Sequence, residues 1–120
     1  MKKIALISAA TLLLTASLAT AQNRYTPGVF MEMMGSAHAY EELCDNLVID
    51  ESVMQRAAMV NNITQMVFDD AGNQARFTGQ YQRIVQSAEG YNTIELFCDM
   101  GEMSYGADGV NIPGLLKQKN

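Results

Sequence analysis

Residues 26–44 read TPGVFMEMMGSAHAYEELC, and their spacing decides the fold. Val29, Phe30, Met33, Met34, Ala37, Tyr40 and Cys44 recur every three or four positions, and Leu47 continues the series. That is the period of an α-helix with one apolar stripe. Thr26 followed by Pro27 predicts where the helix starts. A threonine hydroxyl accepts a hydrogen bond from a free N–H of the first turn, and proline's fixed φ and missing N–H suit the first helical position. Cys44 falls on the stripe, so this helix carries its cysteine toward the core.

The remaining helices follow outward from that segment. Asp50 predicts the cap of a second helix, with Glu51 in its first turn and Val53, Ala57, Val60, Thr64 and Val67 on its inner side. Asp69-Asp70-Ala71-Gly72-Asn73 reads as a stop and turn. A third helix follows, with Phe77, Tyr81, Ile84, Val85 and Ala88 on one side and Gly90 at its end. Asn92 or Thr93 caps a fourth, which turns Ile94, Phe97, Cys98, Gly101 and Tyr105 inward. A local alternative stays open: residues 63–77 form either a helix-turn-helix or a β-hairpin about the same turn. Gly106, Gly109 and Pro113-Gly114 end regular structure. They predict a flexible tail over 106–120, in which Ile112, Leu115 and Leu116 have the character to dock.

Cys98 is the only other cysteine, and it too lies on an inward stripe. With no Cys-x-x-Cys spacing, Cys44 and Cys98 read as one structural disulfide and not a redox pair. The chain-entropy term for so long a loop is about 4 kcal/mol. The expected fold is therefore all-α: a small bundle of three to four helices over residues 22–105, closed by one disulfide.

Lys2 and Lys3 precede an apolar, small-residue run from Ile4 to Ala19, and Ala19-Thr20-Ala21 has the A-x-A form of a cleavage site. Residues 1–21 thus read as a signal peptide, which predicts a periplasmic or secreted protein. The run is broken by Ser and Thr, and no cysteine follows the cut. Neither a lasting membrane span nor a lipid anchor is expected after cleavage. The chain has 13 acidic against 8 basic residues, a net charge of −5, and two of the basic residues sit in the signal. Such a surface disfavours nucleic acid and anionic membrane and admits a basic partner.

Little in the chain points to catalysis. His38 is the single histidine, and no nucleophile motif or metal-binding histidine pair accompanies it. Glu41/Glu42 and Asp69/Asp70 are adjacent pairs, and neighbours in a helix do not face each other. No catalytic residue and no cofactor are expected. Haem between His38 and Met100 or Met103 is disfavoured, because His38 lies about 120° around the helix from Cys44. Methionine is the unusual feature, at 9 residues. Met31, Met34 and His38 sit at i, i+3 and i+7, a set of soft donors suited to Cu(I). The plainer reading makes Met34 core, Met31 a partly exposed neighbour and His38 a surface or capping residue. Met31, Met54, Met59, Met66 and Met103 fall off the central stripes. Such flexible side chains suit adaptable binding to a protein, either another copy of the chain or a different envelope protein.

His38-Ala39-Tyr40-Glu41-Glu42-Leu43-Cys44, with Gly35 just before it, resembles the His-x-Tyr-x-x-Leu-Cys segment of a group of small exported helical proteins from alphaproteobacteria. Phe77-Thr78-Gly79-Gln80-Tyr81 and Cys98-Asp99 are similar to that group's Phe-x-x-Gly-Tyr segment and second cysteine. Here the glycine stands one position early, and Cys-Asp replaces Cys-Thr. The resemblance implies an exported helical fold and supplies no catalytic residue. In outline, one cysteine well inside each end of a small helical chain is also similar to the layout of acid-stress chaperones.

Overall fold

A computed structural model describes residues 24–119. The predicted signal peptide over 1–21 lies outside the described residues. The chain order is α1 (Pro27–Leu43), β1 (Leu47–Ile49), α2 (Glu51–Val60), α3 (Gln65–Asp69), α4 (Ala71–Ala88), α5 (Ile94–Tyr105) and β2 (Leu116–Gln118). The fold is mostly helical and closed by the Cys44–Cys98 disulfide, with Cα atoms 5.8 Å apart. One short two-stranded sheet, not expected from the sequence, is added to it.

Helix α1 is the axis of the molecule. Thr26 caps it by accepting from the Val29 N–H, and Pro27 occupies its first turn. Its stripe buries Phe30, Met31, Met34, Ala37 and Tyr40. Helix α4 packs along one side of α1. Gly35 permits this contact, since a Cβ there would lie 2.3 Å from the Phe77 carbonyl oxygen. Helix α5 packs on another side, joined by the disulfide and by the Tyr40 ring. That ring meets Phe97 at a tilt, with 4.7 Å between centroids, and covers Gly101. Phe30, Phe97, Leu47, Leu115, Leu116 and Cys44 are the largest fully buried side chains. Each sits on α1, on α5 or in the β1/β2 region.

The second helix ends earlier than its stripe predicts. The Asn62 N–H bonds the Met59 carbonyl, the Ile63 N–H bonds the Ala58 carbonyl, and Asn62 has φ 57°. This is a Schellman stop with asparagine in the left-handed position, and the residue after it, Ile63, is buried. Thr64 and Val67 therefore belong to other elements and not to a continued α2. The turn expected at 69–73 is also corrected. Asp70 accepts from the Asn73 N–H and starts α4, so Gly72 lies inside a helix. Side chains of α4 close the end of α3, Asn73 donating to the Val67 carbonyl and Gln74 to the Phe68 carbonyl. Residues 63–77 are thus helical, not a hairpin.

The tail expected to be flexible over 106–120 is docked as far as residue 119. Val110 and Asn111 N–H groups cap the Met103 and Ser104 carbonyls at the end of α5. Gly114, at φ 79°, turns the chain back so that Leu115 and Leu116 enter the core. Strand β2 then pairs antiparallel with β1, Leu47 opposite Gln118 and Ile49 opposite Leu116. Ile112, Leu115 and Leu116 supply apolar burial, and the backbone bonds remove the unsatisfied groups a loose tail would leave in water.

Candidate functional site

Two concave surfaces stand out, and they differ in chemistry. The larger is a groove of about 940 Å³ between the end of α5, the start of α2 and the returning tail. Val53, Met103, Val110 and Leu116 are among its apolar residues, and Asp50, Asp99, Glu102 and Asp108 are its acidic ones. Met103 is 62% exposed and Val110 77% exposed. On α5 the apolar surface continues as Leu96, Met100 and Met103, which at i, i+4 and i+7 form one outward stripe. Glu95, Asp99 and Glu102 border that stripe, and α5 carries no basic residue. Lys117 is the one basic residue in the groove, and its Nζ lies 3.7 Å from Asp50 Oδ2. Asp99 and Asp108 have no ion-pair partner among the described residues. The Ser52 hydroxyl and the Ser52 and Val53 N–H groups donate to Asp50, and with Lys117 they hold its carboxyl below the usual carboxylate range.

The second surface is a cavity of about 450 Å³ where α1, β1, α2, α3 and α4 meet. Met31, Met34, Ile49, Met54, Phe68 and Phe77 make it largely apolar, and His38, Gln74 and Thr78 stand among them. His38, half exposed, stands between two features. Its ring lies 5.7 Å from the Phe77 ring, and its Nδ1 lies 3.9 Å from Glu41 Oε1. The other Glu41 oxygen accepts the Ile49 N–H at 2.7 Å, so this carboxylate is held between α1 and β1.

The residues selected from sequence are distributed unevenly. Met31, Met34 and His38 do share one cavity, and α2 contributes Met54 to it. Met31 is buried and not a partly exposed neighbour. Met59, Met66 and Met103 are exposed, as their positions off the stripes imply. Cys44 and Cys98 are bonded and provide no thiol. Among the described residues no group of three His, Cys, Asp or Glu side chains could hold a metal. No described helix is long and apolar enough to cross a membrane. The sequence reading missed the acid-rimmed groove. Its α5 stripe was visible as a period, but Val110 and Leu116 reach it only through the docked tail. Comparison with known proteins finds no family model, no curated protein and no solved structure that matches this chain.

Proposed function

We propose that this chain is a non-enzymatic, exported protein of the cell envelope that binds basic, amphipathic segments of other proteins. The binding is chaperone-like in its low selectivity, and the site is the groove beside α5. One observation carries the reading: an exposed stripe of Leu96, Met100 and Met103 runs into a groove whose rim is acidic. Methionine side chains adapt to many apolar shapes, and the carboxylates select segments flanked by Lys or Arg. A second copy of the chain is a poorer occupant, because it brings an acidic border against an acidic border. The disulfide and the signal-like residues 1–21 support export, as does the resemblance of the His38–Cys44 segment to exported helical proteins.

The test is calorimetric titration with a synthetic amphipathic peptide of Leu and Lys, beside a matched peptide of Leu and Glu. The Leu/Lys peptide should bind and the Leu/Glu peptide should not. Affinity should fall as salt rises from 0.05 to 0.5 M, because these exposed charges are screened. Met103→Asp should weaken binding at least tenfold without altering the circular dichroism spectrum. Equal binding of both peptides, or no binding of either, would overturn the proposal.

A further inference from the structure

The Met-lined cavity lies apart from the groove and invites a different ligand. Its lining includes three thioethers, from Met31, Met34 and Met54, and the only imidazole in the chain, from His38. It includes no carboxylate. Thioether and imidazole are soft to intermediate donors that favour Cu(I), whereas Mg²⁺, Ca²⁺ and Mn²⁺ favour carboxylate oxygens, and the only oxygen donors in the lining are the neutral Gln74 and Thr78 side chains. Both cysteines are locked in the disulfide, so no thiolate competes for the ion. Met31 and Met34 are each only 4% exposed, which separates them from the solvated methionines Met59, Met66 and Met103.

His38, whose side chain is 53% exposed, has a carboxylate close to one ring nitrogen. A ligating imidazole usually directs its other nitrogen to a carboxylate, which fixes the tautomer and raises the basicity of the ligand. Glu41 is held by the Ile49 N–H, and its other oxygen lies 3.9 Å from Nδ1, outside hydrogen-bond range, so Nε2 is the nitrogen assigned to the ion. The ring's contact with Phe77 further limits its motion. We propose that the cavity binds a single Cu(I) ion through the thioethers of Met31, Met34 and Met54 and through Nε2 of His38, with Glu41 as a positioning residue. The proposal goes beyond protein binding and does not depend on it, since no residue is shared by the two linings.

The experiment is an anaerobic titration of the purified protein with Cu(I) in competition with bicinchoninate. In parallel, Ag(I) is titrated into protein labelled with ¹³C at the methionine methyl groups. One Cu(I) per chain is expected, and Ag(I) should shift the methyl signals of Met31, Met34 and Met54. Met31→Leu with Met34→Leu keeps side-chain volume and should preserve the fold. It should weaken Cu(I) binding at least tenfold, as should Met54→Leu alone. Met59→Leu with Met66→Leu should leave it unchanged, and Glu41→Gln should weaken it less than His38→Ala. Absence of Cu(I) uptake, uptake undiminished by the three core Leu substitutions, or Ag(I) shifts confined to the exposed methionines would each overturn the assignment. Uptake of an apolar dye without Cu(I) would do the same and mark the cavity as a site for apolar ligands.

Discussion

The part of the molecule around the disulfide and the part built on α2, α3 and α4 achieve burial in different ways. Around the disulfide, α1, α5, β1 and the returning tail enclose Phe30, Phe97, Leu47, Leu115 and Leu116, none more than 2% exposed. By contrast α2, α3 and α4 contain no buried residue. They rest on the core through half-buried side chains such as Val53, Phe68, Phe77 and Ile84, and α4 is tied to α1 by bonds at the rim such as Arg76 to Glu32 at 2.9 Å and Tyr81 to Glu42. The first part has the packing that stabilises a small chain, reinforced by a covalent link. The second has the open packing that leaves a cavity. A chain this short has apolar material for one dense core, and it concentrates that material where the disulfide lies.

The contrast can be broken or sharpened by substitution. The largest effects should come from the dense part. Replacing Cys44 and Cys98 by Ser opens a loop with a sequence separation of 54 and should cost about 4 kcal/mol in urea unfolding. Phe97→Ala should cost about 3–5 kcal/mol, as expected for a fully buried ring. Phe77→Ala should cost about half as much, because that ring is half-buried against a cavity. Equal losses at Phe97 and Phe77 would remove the distinction between the two parts.

Gly35→Ala should come next, at about 1–3 kcal/mol. Its methyl group would meet the Phe77 backbone and force α1 and α4 apart. Alkaline pH should probe the dense part through its buried tyrosines. Burial first, then the nearby Tyr91 and Tyr105, push the Tyr40 hydroxyl up to about 12. Below pH 10 both folded and unfolded chains keep this proton, and the stabilising burial is fully present. As pH rises from 10 toward 12 the unfolded chain ionises first, so stability should fall over that window and level off above it. Tyr40→Phe should reduce this pH dependence in thermal unfolding, and the remainder should come from Tyr105, which burial also pushes up. The smallest effect should be a gain. Gly79 has open space where a Cβ would sit, within an interior turn of α4, and Gly79→Ala should stabilise by about 0.5–1 kcal/mol.

Legibility in the sequence follows the same division. Helix α1 and the caps at Thr26, Asp50 and Thr93 could be read because a short polar side chain before a 3.6-residue period has one local meaning. The stop at Asn62 escaped because asparagine took the left-handed position that glycine more often marks. Asp70 reads as a stop yet opens α4, since the same residue type serves turns and caps. Strands of three residues have no period to read, so the pairing of β1 with β2 and the docked tail depended on contacts distant in sequence. The candidate sites divide in the same way. The i, i+3, i+7 spacing of Met31, Met34 and His38 placed them together, but Met54 and the Glu41 link to Ile49 required the tertiary fold. The Leu96–Met103 stripe was local to α5, whereas its acidic groove was not.

Binding in the groove beside α5 is tested by a methyl NMR titration of the methionine-labelled protein with the Leu/Lys amphipathic peptide at low salt. The Met100 and Met103 signals should shift in a saturable way, while Met31 and Met34 stay in place. Absence of shifts, or shifts confined to Met31, Met34 and Met54, would contradict binding in that groove.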